Sequence, residues 1–86
     1  MDYHRYIPLV SAPPEKKLKI IEIQGGHRLR KRLFDMGFHK GDEIILDMRG
    51  VLRGPILVRR VSSDTSVAIG RGIAQKILVE IIGDEQ

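Results

Sequence analysis

The chain has no cysteine and no tryptophan, and its two tyrosines and two phenylalanines all lie before residue 39. Without cysteine, neither a disulfide framework nor a thiolate zinc site can staple the fold, and the absence fits a reducing compartment. Hydroxyl side chains outside tyrosine are scarce: Ser11, Ser62, Ser63, Thr65 and Ser66. Four of these crowd one short stretch, which reads as turn chemistry and not as a nucleophile with its base. No apolar run approaches the ~20 residues that span a bilayer. The opening MDYHRYIPLV lacks the basic-then-apolar order of a secretory signal. The expectation is a soluble cytoplasmic protein with no membrane insertion. Its 86 residues make one small domain with no room for a large enclosed active site, so no enzyme is expected.

What the chain does have is aliphatic side chains and positive charge. Ile, Val and Leu recur from Leu18 to Ile82, a β-branched core that favours sheet. The formal net charge is +4, but residues 1 to 40 hold nine Lys/Arg against four Asp/Glu, and residues 41 to 86 hold six against seven. The positive field therefore belongs to the first half, and it points to an anionic partner: nucleic acid, an acidic protein surface or anionic headgroups.

Residues 1 to 15, with Pro8, Pro13 and Pro14, read as an extended lead-in whose Ile7, Leu9 and Val10 lie on the domain. Residues 16 to 82 read as the domain proper and residues 83 to 86 as an acidic, frayed tail. KKLKIIEI alternates as a first strand and Gly25-Gly26 stops it. Leu29, Leu33 and Met36 then fall at helical spacing, and Gly37 is a left-handed stop that lets Phe38 fold back on the last turn. DEIILDM is a second strand, with Ile44, Leu46 and Met48 on one face; GVLRGP is a hairpin-type loop, and ILVRRV and SVAIG follow as strands. RGIAQK allows one helical turn, and ILVEII closes with Ile77, Val79 and Ile81 facing one way. This predicts a mainly β barrel of about five antiparallel strands, one helix between strands one and two, and a short helical turn before the last strand.

The candidate sites centre on that helix. GGHRLRKR resembles a phosphate cradle, but lacks the Lys-Ser/Thr of a P-loop and the spaced glycines of a dinucleotide site. Arg28, Arg30, Lys31 and Arg32 sit early in the helix, where cations oppose the dipole, and Arg28 and Arg32 repel at i, i+4. Only Asp35 offers relief, to Lys31 and Arg32. A solvated basic face is one reading and a docking face the other. Phe34 lies off the centre of the apolar stripe and reads either as an edge-of-core side chain or as an apolar anchor. His27 and His39 flank the helix without the i, i+4 spacing of a metal pair, leaving loose divalent metal binding, iron or zinc, against solvated histidines. Asp42 and Glu43 point to opposite faces and suit turn and edge-strand solvation better than acid/base work.

The order of these pieces, GGHRLRKRLFDMGFHKGDEI, RGPILV and VAIGRGIAQKILVEI, resembles the FeoA family over roughly residues 7 to 81. Family elements fall on Ile23, Gly25, Gly26, Arg30, Arg32, Leu33, Met36 and Gly37, on Gly41, Ile44, Gly54 and Pro55, and on Ala68, Ile69, Gly70, Arg71, Ala74, Ile77 and Val79. Two stretches depart from it: SSDTS is longer and lacks a glycine, and Glu15 stands where a glycine is expected. The resemblance implies an SH3-like barrel with no catalytic set and no certain cofactor, active in ferrous iron uptake. It also implies a partner, the FeoB-type membrane transporter with its cytoplasmic GTP-binding domain, which would recruit the protein to the inner face of the membrane. Arg28, Arg30, Lys31 and Arg32 would steer it there, with Phe34 as anchor. The rival readings are a nucleic-acid-binding SH3-like barrel using the same cations, for which no aromatic stacking platform is evident, and a metal-sensing module like those ending metal-dependent repressors.

Overall fold

A computed structural model describes residues 6 to 47 and 54 to 84. It contains β1 (Tyr6–Pro8), a 3-10 turn (Leu9–Ser11), β2 (Lys16–Ile23), α1 (His27–Asp35), β3 (Glu43–Leu46), β4 (Ile56–Arg60), β5 (Ser66–Ile69), α2 (Arg71–Ala74) and β6 (Ile77–Asp84). The strands form one sheet in the order β1-β6-β2-β3-β4-β5, with every neighbouring pair antiparallel. The mainly β architecture, the inserted helix and the closing helical turn are those expected, with one strand more.

The extra strand is β1, in the segment read as a lead-in. Tyr6, Ile7 and Pro8 pair with Glu80, Val79 and Leu78, and Leu9 is wholly buried. β1 lies at one end of the sheet, where a proline costs no ladder hydrogen bond on its open side. At the other limit, β6 runs to Asp84, two residues past the expected end. Met48 and the loop from Gly50 to Arg53 lie outside the described residues.

β2 carries the sequence's alternation with one interruption. Leu18 and Ile20 are buried, and so is Ile23, which pure alternation would turn outward. The register explains this: Ile20 faces Val79 and Glu22 faces Leu78, so Ile21 is an extra residue, a bulge that returns Ile23 to the core opposite Ile77. A second shift, between Lys17 and Leu18, sets Leu18 against Ile81 and Lys17 against Gly83. Near it Ile81 is 45% exposed, so the expected inward row on β6 holds for Ile77 and Val79 and fails at Ile81.

Leu9, Leu18, Ile20, Leu33, Phe38, Ile44, Val58, Ala74, Ile77 and Val79 belong to one hydrophobic cluster, and no polar side chain among the described residues is buried with it. β1 and β5 end the sheet, and no pairing joins them among the described residues. β3 lies between β2 and β4, so Glu43 is on an interior strand and not at an edge; it pairs with Lys19 in the register, and its carboxylate lies 4.0 Å from the diagonal Lys17 Nζ.

Candidate docking face on α1

α1 is inserted between β2 and β3, which pair directly with each other. Gly25 makes the exit turn at φ +120°, where a Cβ would approach Leu29 Cδ2 to 2.8 Å. Gly26 is the N-cap, with no side-chain cap and no acidic residue in the first turn. The helix ends in a Schellman closure: the Gly37 amide donates to the Phe34 carbonyl (2.9 Å) and the Phe38 amide to the Leu33 carbonyl (2.9 Å). Gly37 takes φ +95° to make it, and Phe38 and Leu33, both buried, form the accompanying apolar contact. Arg60 completes the end, its Nη1 donating to the Gly37 carbonyl at 2.6 Å.

This closure corrects one member of the expected apolar stripe. Leu33 is buried and Leu29 packs against the core, but Met36, the C-cap, is 40% exposed, and Phe38 fills the position instead. Phe34 is 63% exposed, which overturns its reading as an edge-of-core residue.

Arg28, Arg30, Lys31 and Arg32 are all exposed. Lys31 meets Asp35 at 3.0 Å, as its spacing predicts, whereas Arg28, Arg30 and Arg32 form no ion pair with a described residue. Arg32 falls in the last turn, where the dipole favours a cation, so the expectation that all four oppose the dipole is corrected for it.

Two open grooves flank Phe34. One, of about 460 Å³, is lined by Glu22, Ile23, Arg30, Phe34, Phe38, His39 and Lys40; the other by His27, Arg30, Lys31, Phe34 and Asp35. Arg30 and Phe34 thus form the ridge between them, with Lys31 to one side, while Arg28 and Arg32 line neither. Glu22, Ile23 and Lys40 were not singled out by the sequence as site residues, because they reach the helix only through the β2–β3 pairing.

His27 and His39 line different grooves, and no three His, Asp or Glu converge on a metal-sized site among the described residues. His39 is instead a fixed wall. Its backbone amide donates to Asp42 Oδ2 (2.9 Å), its Nδ1 lies 3.3 Å from the same oxygen, and its ring meets Phe34 edge-on with centroids 4.5 Å apart.

The SSDT stretch is a turn, as its hydroxyls suggest. Arg60 Nε and Nη2 donate to Ser63 Oγ, which lies 2.8 Å from Thr65 Oγ1, and Asp64 takes φ 57°.

Residues 7–81 match the model of the FeoA domain family. No curated protein sequence matches the chain. Among solved structures, the chain is similar to a crystal structure of an iron uptake regulatory protein (FeoA), with 29% identity and TM-score 0.75 over 90% of this chain and 97% of that one. It is also similar to a FeoA-like protein from Clostridium acetobutylicum, with 27% identity and TM-score 0.78 over 95% and 93%. A manganese-dependent transcriptional repressor shares the fold at 18% identity and TM-score 0.77, over 90% of this chain and 42% of its own.

Proposed function

From its membership of the FeoA domain family, we propose that the chain serves ferrous iron transport as a non-enzymatic accessory protein, docking on the cytoplasmic side of a FeoB-type membrane transporter. The docking face is α1, with Arg28, Arg30, Lys31 and Arg32 steering and Phe34 anchoring. The observation that carries this reading is the exposure of Phe34 amid arginines that form no ion pair with a described residue. A helix start with no cap, no acid and several cations is locally unfavourable, so its stability offers no reason for the charge. Recruitment by the transporter would also place the protein at the membrane: no helix among the described residues is long and apolar enough to cross one.

The test is ferrous iron uptake in cells lacking the native protein and complemented with this chain or its Arg30→Glu/Lys31→Glu variant. Uptake restored by the parent and lost with the variant at equal protein level is the expected result. Equal uptake would remove the helix face from the function.

A further inference from the structure

We propose that the groove between α1 and the turn at residues 38 to 40 seats a short acidic, amphipathic segment of the partner protein. One apolar side chain would lie on Ile23 and Phe38 against Phe34, flanked by carboxylates that meet Arg30 and Lys40. The proposal rests on the reading of α1 as a docking face and adds the chemistry of what occupies it.

The groove is built for such an occupant. Its floor is apolar, because the bulge in β2 turns Ile23 inward and the Schellman closure brings Phe38 under the helix end. Phe34 stands over that floor as a wall. The volume of about 460 Å³ accepts a large side chain and a little flanking backbone. Arg30 and Lys40 line the same groove, both are exposed, and neither forms an ion pair with a described residue, so their charge is available to an incoming carboxylate. The site is also held before binding: Asp42 fixes the turn that carries His39 and Lys40, and Arg60 holds the Gly37 carbonyl on the opposite side of Phe38 in sequence. Little ordering remains for the protein side to undergo on association.

Glu22 distinguishes a peptide from a nucleic acid. A carboxylate in the lining repels a phosphate backbone that would track Arg30 and Lys40, whereas a peptide can place an amide or a basic side chain there. The apolar floor has no use for a phosphate either, and a single phenylalanine wall is not a stacking series.

The test uses fluorescein-labelled overlapping peptides covering the cytoplasmic segments of a FeoB-type transporter, titrated with the full chain and read by anisotropy, beside labelled single-stranded DNA and RNA oligonucleotides. The expected result is binding of at least one peptide that carries carboxylates around a large apolar residue. That binding falls about tenfold or more with Phe34→Ala and with Arg30→Glu, as for a central aromatic or arginine contact. Replacing the peptide's carboxylates by lysine restores affinity for an Arg30→Glu/Lys40→Glu variant and not for the parent. All three positions, Arg30, Phe34 and Lys40, are exposed, and circular dichroism melts confirm that the variants fold. Binding of the intact transporter with no peptide binding, or peptide binding indifferent to Phe34→Ala and Arg30→Glu, overturns the inference and leaves the docking function standing. An oligonucleotide that binds more tightly than any peptide and is lost with the same variants overturns it in favour of nucleic acid. Failure of the intact transporter itself to bind defeats the docking function on which the inference rests.

Discussion

Glu15 and Asp64 hold φ of 67° and 57°, the left-handed region that a side chain makes costly. Both lie in stretches where a glycine is expected from the sequence and none is present: Glu15 in the lead-in and Asp64 in the SSDTS turn. The structure gives the physical sense of those departures, since each position needs a positive φ and the chain supplies it without glycine. Glu15 is held there by its amide, which donates to the Leu46 carbonyl at 2.9 Å, and Asp64 by its amide to the Arg60 carbonyl at 2.8 Å. Glu15→Gly is therefore expected to stabilise the protein by about 0.5–1 kcal/mol, the left-handed penalty less the extra entropy of an unfolded glycine, seen as a rise of several degrees in Tm. Asp64→Gly should gain less, because aspartate tolerates this region better and its carboxylate lies 3.6 Å from Arg59. Gly37 is the opposite case. A Cβ there would run into Arg60 Nη1 at a φ that already excludes most side chains, so Gly37→Ala should cost about 1–3 kcal/mol in denaturant unfolding through strain and the lost Arg60 hydrogen bond. Gly37 was legible in the sequence as a helix stop; its second role, making room for an arginine 23 positions later, was not.

At the scale of elements, α1 begins at a local cost to stability, which the proposed docking role would explain. Its spacing showed the helix, its end, the Lys31–Asp35 pair and the fold-back of Phe38. It misled at Met36 and left Phe34 undecided between core edge and exposed anchor, because periodicity gives the angle of a residue about the helix axis and not whether the sheet reaches that angle. In the same way, the inward return of Ile23 depends on a bulge at Ile21 that no alternation contains. Arg28 stands in the first turn of an uncapped helix, at i, i+4 from Arg32. Arg28→Glu should therefore raise stability by ~0.5 kcal/mol, since it satisfies the dipole and converts a repulsion into an attraction. A higher Tm accompanied by weaker partner association is the expected pair of results. A lower Tm would mean that Arg28 has a structural role that the fold does not display.

At the scale of the whole molecule, the family, the mainly β class and the place of the helix were readable because they rest on ordered local signals: strand alternation, glycine stops and short motifs in sequence. The first strand was hidden by its prolines, which read as lead-in although an end strand tolerates them. The groove was legible only in its helix residues Arg30 and Phe34, since Glu22, Ile23 and Lys40 meet them only once β2 and β3 pair and carry the helix out and back. The docking claim depends on that assembled face. The most direct measurement is the affinity of this chain for a FeoB-type transporter in lipid nanodiscs, for the parent and for Arg30→Glu/Lys31→Glu. Association that weakens with salt in the parent and falls about tenfold or more in the variant is the predicted result. Equal affinity of the two proteins, or no association of the parent, would contradict it.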